Sequence, residues 1–233
     1  MEIETPDILK PSFYMVSCTQ PVDAMREKGI TSPLELIAYC ARVSNPANQL
    51  NSTTAAKLIR SLVARKEWSP LEMVDVTFGI TTARDISRQI IRHKSFSPQE
   101  FSQRYAEVDE DRHCLREARM QHPTDRQSSL PCLDVAIVDG WIMQQMLVLD
   151  AARKAYAWAR KNGLAKEVAR VVLPEGLTLT DLYLKGSIRS WIHYLELRGG
   201  NGTQLEHQQI AQGLATAIAS IFPVAKVLDR ETA

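Results

Sequence analysis

The chain has 233 residues, 45% of them hydrophobic and 24% charged, with a formal net charge of +1. That length suits one domain over residues 1–233, with enough interior to fold without disulfide staples. The near-neutral balance gives no reason to expect a nucleic-acid or membrane-surface partner, yet is compatible with a local basic pocket for a small anion.

The amino terminus, MEIETPDILK, starts acidic and lacks a basic region followed by an apolar run, so it does not read as a secretory signal. No stretch reaches the roughly 18 consecutive apolar residues that suggest a membrane span. Cys18, Cys40, Cys114 and Cys132 show neither CxxC pairing nor zinc-ligand spacing. Free thiols in a reducing, cytoplasmic setting are the simplest expectation.

In chain order, Ser32 and Pro33 predict a helix start, as N-cap and first helical residue, with Asn45-Pro46 as its stop. Asn51 and Ser52 are placed to cap a second helix whose Ala55, Leu58, Leu62 and Val63 form a core-facing stripe. Val74, Val76, Phe78 and Ile80 then alternate with Asp75, Thr77 and Gly79, the period of a half-buried strand. In the helix expected next, Arg84, Arg88 and Arg92 recur every four residues, as do Asp85, Gln89 and His93. Arg84 and Arg88 read as an exposed basic face.

From Arg92 to Tyr105 runs RHKSFSPQEFSQRY, dense in cations, hydroxyls and one carboxylate, Glu100. Types and spacing leave two readings, a solvated loop or a ligand site in which forked guanidinium donors hold a phosphate and Glu100 accepts from a sugar or base. Residues 111–130 read as a polar excursion outside the core, with His113 and His122 solvated. A long helix is expected from Asp134 to Asn162, with Gly163 as its C-terminal cap. Its apolar stripe of Val135, Val138, Ile142, Met146 and Leu149 suggests a central or interfacial position. ARVVLP closes a short helix at Pro174, LTLTDLYL over 177–184 reads as a second strand, and a helix bearing Ser187, Arg189, His193 and Arg198 follows. Arg189 and His193, one turn apart, point the same way. GGNG at 199–202 follows a helix rather than a strand, so no dinucleotide-binding Rossmann unit is indicated.

The 92–105 segment resembles the signature of the flavin-dependent thymidylate synthases: Arg92, His93, Ser102 and Arg104 match, while Lys94 stands where the family has arginine. A lysine keeps the charge but loses the bidentate fork. SPLEM at 69–73, ARVVLP at 169–174 and SIRSWIHYLELR at 187–198 resemble further family blocks, and a helix carrying Gln204 and Glu206 follows. The resemblance implies an α/β fold with a central sheet flanked by helices, assembled as a homotetramer with active sites at subunit interfaces. It implies FAD as cofactor, NADPH as reductant, methylenetetrahydrofolate as carbon donor and dUMP as the substrate converted to dTMP. Carried over by position, Gln89, Arg92, Glu100, Ser102, Arg104, Arg170 and Arg198 would bind the nucleotide. Ser69, Arg92, His93, Lys94, Glu100, Ser187, Arg189 and His193 would hold the flavin. Arg198 would be catalytic, polarising the pyrimidine ring without a cysteine nucleophile. Cys132 follows Pro131, as the nucleophile does in the unrelated cysteine-dependent enzymes, but has no activating base beside it in sequence. Lys94 keeps open a sibling enzyme acting on dCMP or leaving a hydroxymethyl group, and a non-catalytic nucleotide-binding homologue is the third reading.

Overall fold

The computed structural model describes residues 6–109, 111–200 and 202–222. Its strands are β1 (Ser12–Cys18), β2 (Asp75–Ala83), β3 (Ser97–Glu100), β4 (Arg119–Gln121), β5 (Ser129–Pro131) and β6 (Leu179–Ser187). Its helices are α1 (Asp23–Arg26), α2 (Pro33–Ala41), α3 (Ala55–Ala64), α4 (Arg84–Ile90), α5 (Val135–Lys161), α6 (Lys166–Ala169), α7 (Ile188–Arg198) and α8 (Leu205–Ile221). Four strands form one antiparallel sheet in the order β1-β2-β6-β3, and β4 and β5 pair as a separate hairpin.

The alternation of Val76, Phe78 and Ile80 buries one face of β2, which pairs with β6 from Asp75 opposite Ser187 to Ala83 opposite Leu179. β6 starts at Leu179, two residues later than its sequence pattern suggests, because Glu175–Leu177 is a 3-10 turn. Leu182 and Leu184 of β6, Trp191 and Tyr194 of α7, and Ile210, Leu214 and Ile218 of α8 complete the main core with Ile37 and Ile59. The fold is therefore mixed α/β with a central sheet. β1 and β3 were not among the expected strands. β3 is a short, polar edge strand containing Pro98, paired only to β6, and so carries no apolar alternation to betray it.

Ser32 caps α2 as expected, in a reciprocal capping box with Glu35. Neither Asn51 nor Ser52 caps α3, which starts after Thr54 without a side-chain cap; the Asn51 side chain bonds Asn48 and Thr53 instead. Asp134 caps α5 through the amides of Ala136 and Ile137, and Gly163 closes it with φ +78°. Of its expected stripe, Leu149 is buried, Val138, Ile142 and Met146 are half-buried, and Val135 is exposed. Trp141, Met143, Leu147 and Val148 also stand exposed, and by length and composition α5 could cross a membrane, although Asp139 and Asp150 interrupt it.

The 111–130 segment is a solvated excursion only in its second half: 113–115 are buried, whereas most of 120–130 is exposed. His113 is buried and bridges Thr178, Cys114 and Leu115 are buried, and the hairpin β4-β5 lies within and just beyond this stretch. The Nδ1 atom of half-buried His122 accepts from the amide of Asp125 at 3.0 Å, closing a turn. His113 thus departs from the solvated reading, whereas His122 stays in an exposed turn.

Candidate functional site

The turn after α4 is anchored by Phe96, whose ring packs on Trp191 at 4.5 Å and Tyr194 at 5.6 Å. It also lies on Gly186, where an added Cβ would come within 2.4 Å of the ring, so only glycine allows this approach. The anchor turns His93 inward while Arg92 and Lys94 stay exposed on either side. His93 Nε2 accepts from Arg198 Nε at 2.9 Å, and the imidazole stands edge-on to Tyr194 at 5.0 Å. A guanidinium can only donate, so a neutral His93 carries its proton on Nδ1. Burial, reinforced by the charges of Arg198 and Arg92, holds its pKa below the usual imidazole range.

Gln89 comes from the last turn of α4. Its Nε2 donates to Gln204 Oε1 at 2.7 Å, and its Oε1 lies 3.3 Å from His207 Nδ1. His207 Nε2 lies 3.0 Å from the Tyr194 hydroxyl. His207 is fully buried, and burial first, then Arg198 and His93, pushes its pKa down to about 3. Burial raises that of the Tyr194 phenol.

Glu100, at the end of β3, gathers a second cluster. It accepts from Ser87 Oγ at 2.9 Å, Thr180 Oγ1 at 3.2 Å and Arg88 at 3.1 Å, with Arg84 at 3.8 Å. Glu175 bridges to Arg88 at 3.4 Å. The sequence reading of Arg84 and Arg88 as an exposed basic face is corrected for Arg84, which is 5% exposed, and holds for Arg88, whose side chain is 42% exposed although it meets the carboxylates of Glu100 and Glu175. Burial lowers the Arg84 pKa, and the charge of half-buried Arg170 acts in the same direction. Ser102 accepts from the Arg104 amide at 3.4 Å, and Arg104 reaches outward to Glu167 at 3.1 Å.

A third group forms where α7 meets the 3-10 turn Ser69–Met73. Arg189 pairs with Glu72 at 2.9 Å, and His193 lies edge-on to Trp68 at 4.5 Å, so the two share a face as their spacing predicts. Ser69 is exposed beside them. Ser187 is 6% exposed and caps α7 by accepting from the Ser190 amide, so its hydroxyl is already committed.

Sequence reasoning missed the cluster around Glu206. Arg116 and Arg119 converge on its Oε1 at 3.0 and 2.8 Å, and Arg116 also holds Asp85 at 2.9 Å. Gln145, 2% exposed, fixes Arg116 by accepting from its amide and donating to its carbonyl, and Trp141 donates to the same carbonyl. These groups line a cavity of about 470 Å³, and Gln204 lies between it and a second of about 330 Å³ beside β4-β5. The one available signal was the three-residue spacing of Arg116 and Arg119 in a stretch without apolar periodicity. All four cysteines are free thiols; burial pushes Cys114 up to about 11, and Cys132 Sγ donates to the Asp134 carbonyl at 3.8 Å.

The antiparallel-sheet α/β fold gathers imidazole, amide and guanidinium groups beside two open cavities, an arrangement that suits a small-molecule ligand. The model of the thymidylate synthase complementing protein family matches residues 28–224. The chain is 42% identical over 219 residues to a probable flavin-dependent thymidylate synthase of Paramecium bursaria Chlorella virus 1, covering 94% of this chain and 99% of the viral one. It is 45% identical over 199 residues to the flavin-dependent thymidylate synthase of a Synechocystis strain, covering 85% and 90%. Its fold matches a UMP/dUMP methylase, PolB of Streptomyces cacaoi, crystallised with 5-Br dUMP, at a TM-score of 0.79 and 24% identity over 94% of each chain. The chain belongs to the flavin-dependent thymidylate synthase family.

Proposed function

We propose that the chain acts as one cytoplasmic domain that methylates dUMP reductively to dTMP. The observation that carries this reading is the half-buried pairing of Arg198 with a neutral His93. The acceptor fixes the guanidinium through Nε and leaves its two terminal nitrogens for a pyrimidine ring. There they stabilise negative charge as carbon 5 becomes nucleophilic; losing one such preorganised donor costs about 3 kcal/mol of barrier. Gln89, Arg92, Glu100, Ser102, Arg104 and Arg170 are assigned to the nucleotide, with Glu100 prepositioned by Ser87, Thr180 and Arg88.

The residues suit FAD. Exposed Arg92 and Lys94 offer charge for a diphosphate, Arg189 and His193 share one face for a flat ring, and Ser69, His93 and Glu100 complete the assigned set. Ser187 supports that set through the start of α7. When bound, the flavin supplies reducing equivalents drawn from NADPH, and methylenetetrahydrofolate supplies the carbon. The exposed apolar face of α5 supports a homotetramer whose subunits share active sites.

Lys94, the departure from the family signature, keeps open a second reading, a sibling enzyme that modifies carbon 5 of dCMP or leaves a hydroxymethyl group. The test is a mass-spectrometric product assay with FAD, NADPH and methylenetetrahydrofolate, offering dUMP and dCMP in parallel. Formation of dTMP alone supports the first reading, a modified cytosine nucleotide supports the second, and flavin binding without product from either refutes both.

A further inference from the structure

The chain Tyr194, His207, Gln89, Gln204 has two self-consistent directions. In one, the Tyr194 hydroxyl donates to His207 Nε2, His207 Nδ1–H donates to Gln89 Oε1, and the Gln89 amide donates to Gln204 Oε1. In the other every bond is reversed, and the Tyr194 hydroxyl accepts from His207. Tyr194 is 1% exposed, and His207 is the partner its hydroxyl has among the described residues. The reversed direction would bury its hydroxyl hydrogen without an acceptor, and an orphaned buried donor is the costly side of a hydrogen-bond balance. The phenol therefore sets the direction for all four groups.

We infer that Tyr194, His207 and Gln89 are positioning residues that lock Gln204 with its amide NH2 toward the two cavities it lines, making it a donor-only reader of the ligand. Resting on the pyrimidine reading above, in which Gln89, bonded to Gln204 at 2.7 Å, is assigned to the nucleotide, the lock selects a base that presents a carbonyl acceptor, as uracil does at carbon 4, over one that presents an amino group there, as cytosine does. His207 serves because a buried neutral imidazole has one donor and one acceptor edge, so it transmits direction from a phenol to an amide.

The test has two readouts. In 15N spectra of histidine-labelled protein, with the His207 signal assigned by loss in His207→Gln, His207 should be neutral at pH 7 with its proton on Nδ1; a proton on Nε2 overturns the lock. Gln204→Glu keeps the shape and the bond from Gln89 while replacing the donor by an acceptor. Its added charge weakens both nucleotides, but the ratio of dUMP to dCMP affinity should fall about tenfold. Equal weakening of both, with a circular dichroism spectrum matching the parent, overturns the reader role. A parent protein that binds neither nucleotide while showing the Nδ1 tautomer refutes the pyrimidine reading and leaves the lock supported.

Discussion

Glu206→Gln isolates the charge at the centre of the cluster that the sequence did not reveal. The Glu206 side chain is 6% exposed, and Arg116 and Arg119 are 13% and 16% exposed. Glutamine keeps the volume and an accepting oxygen but removes the negative charge. Arg116 would retain Asp85 at 2.9 Å, whereas among the described residues Arg119 would keep only the more distant carboxylate of Glu117 at 3.7 Å, itself 56% exposed. Removing one partner of a buried pair costs about 3–5 kcal/mol, and the surviving Asp85 contact places this case near the lower end. A loss of about 3 kcal/mol lowers the melting temperature by roughly 6–12 °C in a chain of this size. Urea and thermal unfolding measure it, and a double-mutant cycle with Arg119→Met should recover part of the loss because the stranded cation is removed as well. A change below about 1 kcal/mol, or strictly additive single mutants, would refute the claim that the cluster depends on this charge.

Four further outcomes are expected. His207 and His93 have folded pKa values below the ordinary imidazole value, so the unfolded chain binds protons that the folded chain refuses. Stability should then be complete above about pH 6.5 and fall toward pH 5, with a slope of up to about 1.4 kcal/mol per pH unit for each histidine. A flat denaturation midpoint from pH 7.5 to 5 would contradict this, and His207→Gln should flatten the slope. Gly186→Ala drives a methyl into the Phe96 ring and should cost about 1–3 kcal/mol while weakening nucleotide binding, read by calorimetry and titration. Arg198→Ala should lower kcat by about a hundredfold or more with a smaller change in nucleotide affinity, whereas a binding loss with kcat intact would move Arg198 out of the catalytic role. Lys94→Arg should retain flavin at least as well as the parent; looser binding would show a site rebuilt around lysine.

What the sequence made legible followed regular periods or fixed chemistry. Phe78 and Ile80 announced β2, Ser32 with Pro33 announced α2, and Gly163 announced the end of α5, because each is a local requirement of backbone or burial. β3 escaped because an edge strand needs pairing on one side only, and Ser97–Glu100 obtains it from β6, more than 80 residues later. That strand places Glu100 beside Ser87 and Thr180, so the carboxylate was foreseen but not its setting. Asn51 looked like a cap but found nearer side-chain partners in Asn48 and Thr53. The Glu206 cluster was hidden for a different reason: its members come from α4, α8 and the 111–130 stretch, and no single window of sequence contains a buried ion pair.

The misreading of α4 shows the physical limit most clearly. Stripes four residues apart, Arg84 with Arg88 and Asp85 with Gln89, normally separate an exposed face from a buried one. Here a helix of seven residues carries Ile86 and Ile90 into the core while its polar side chains enter separate networks. Arg84 and Arg88 meet Glu100, Asp85 meets Arg116, and Gln89 meets Gln204 and His207. Long-range partners bury Arg84 and engage the rest of both stripes, and each partner supplies the opposite charge or a complementary amide. α4 is therefore a junction, and a change that tilts it disturbs the Glu100, Glu206 and His207 networks together.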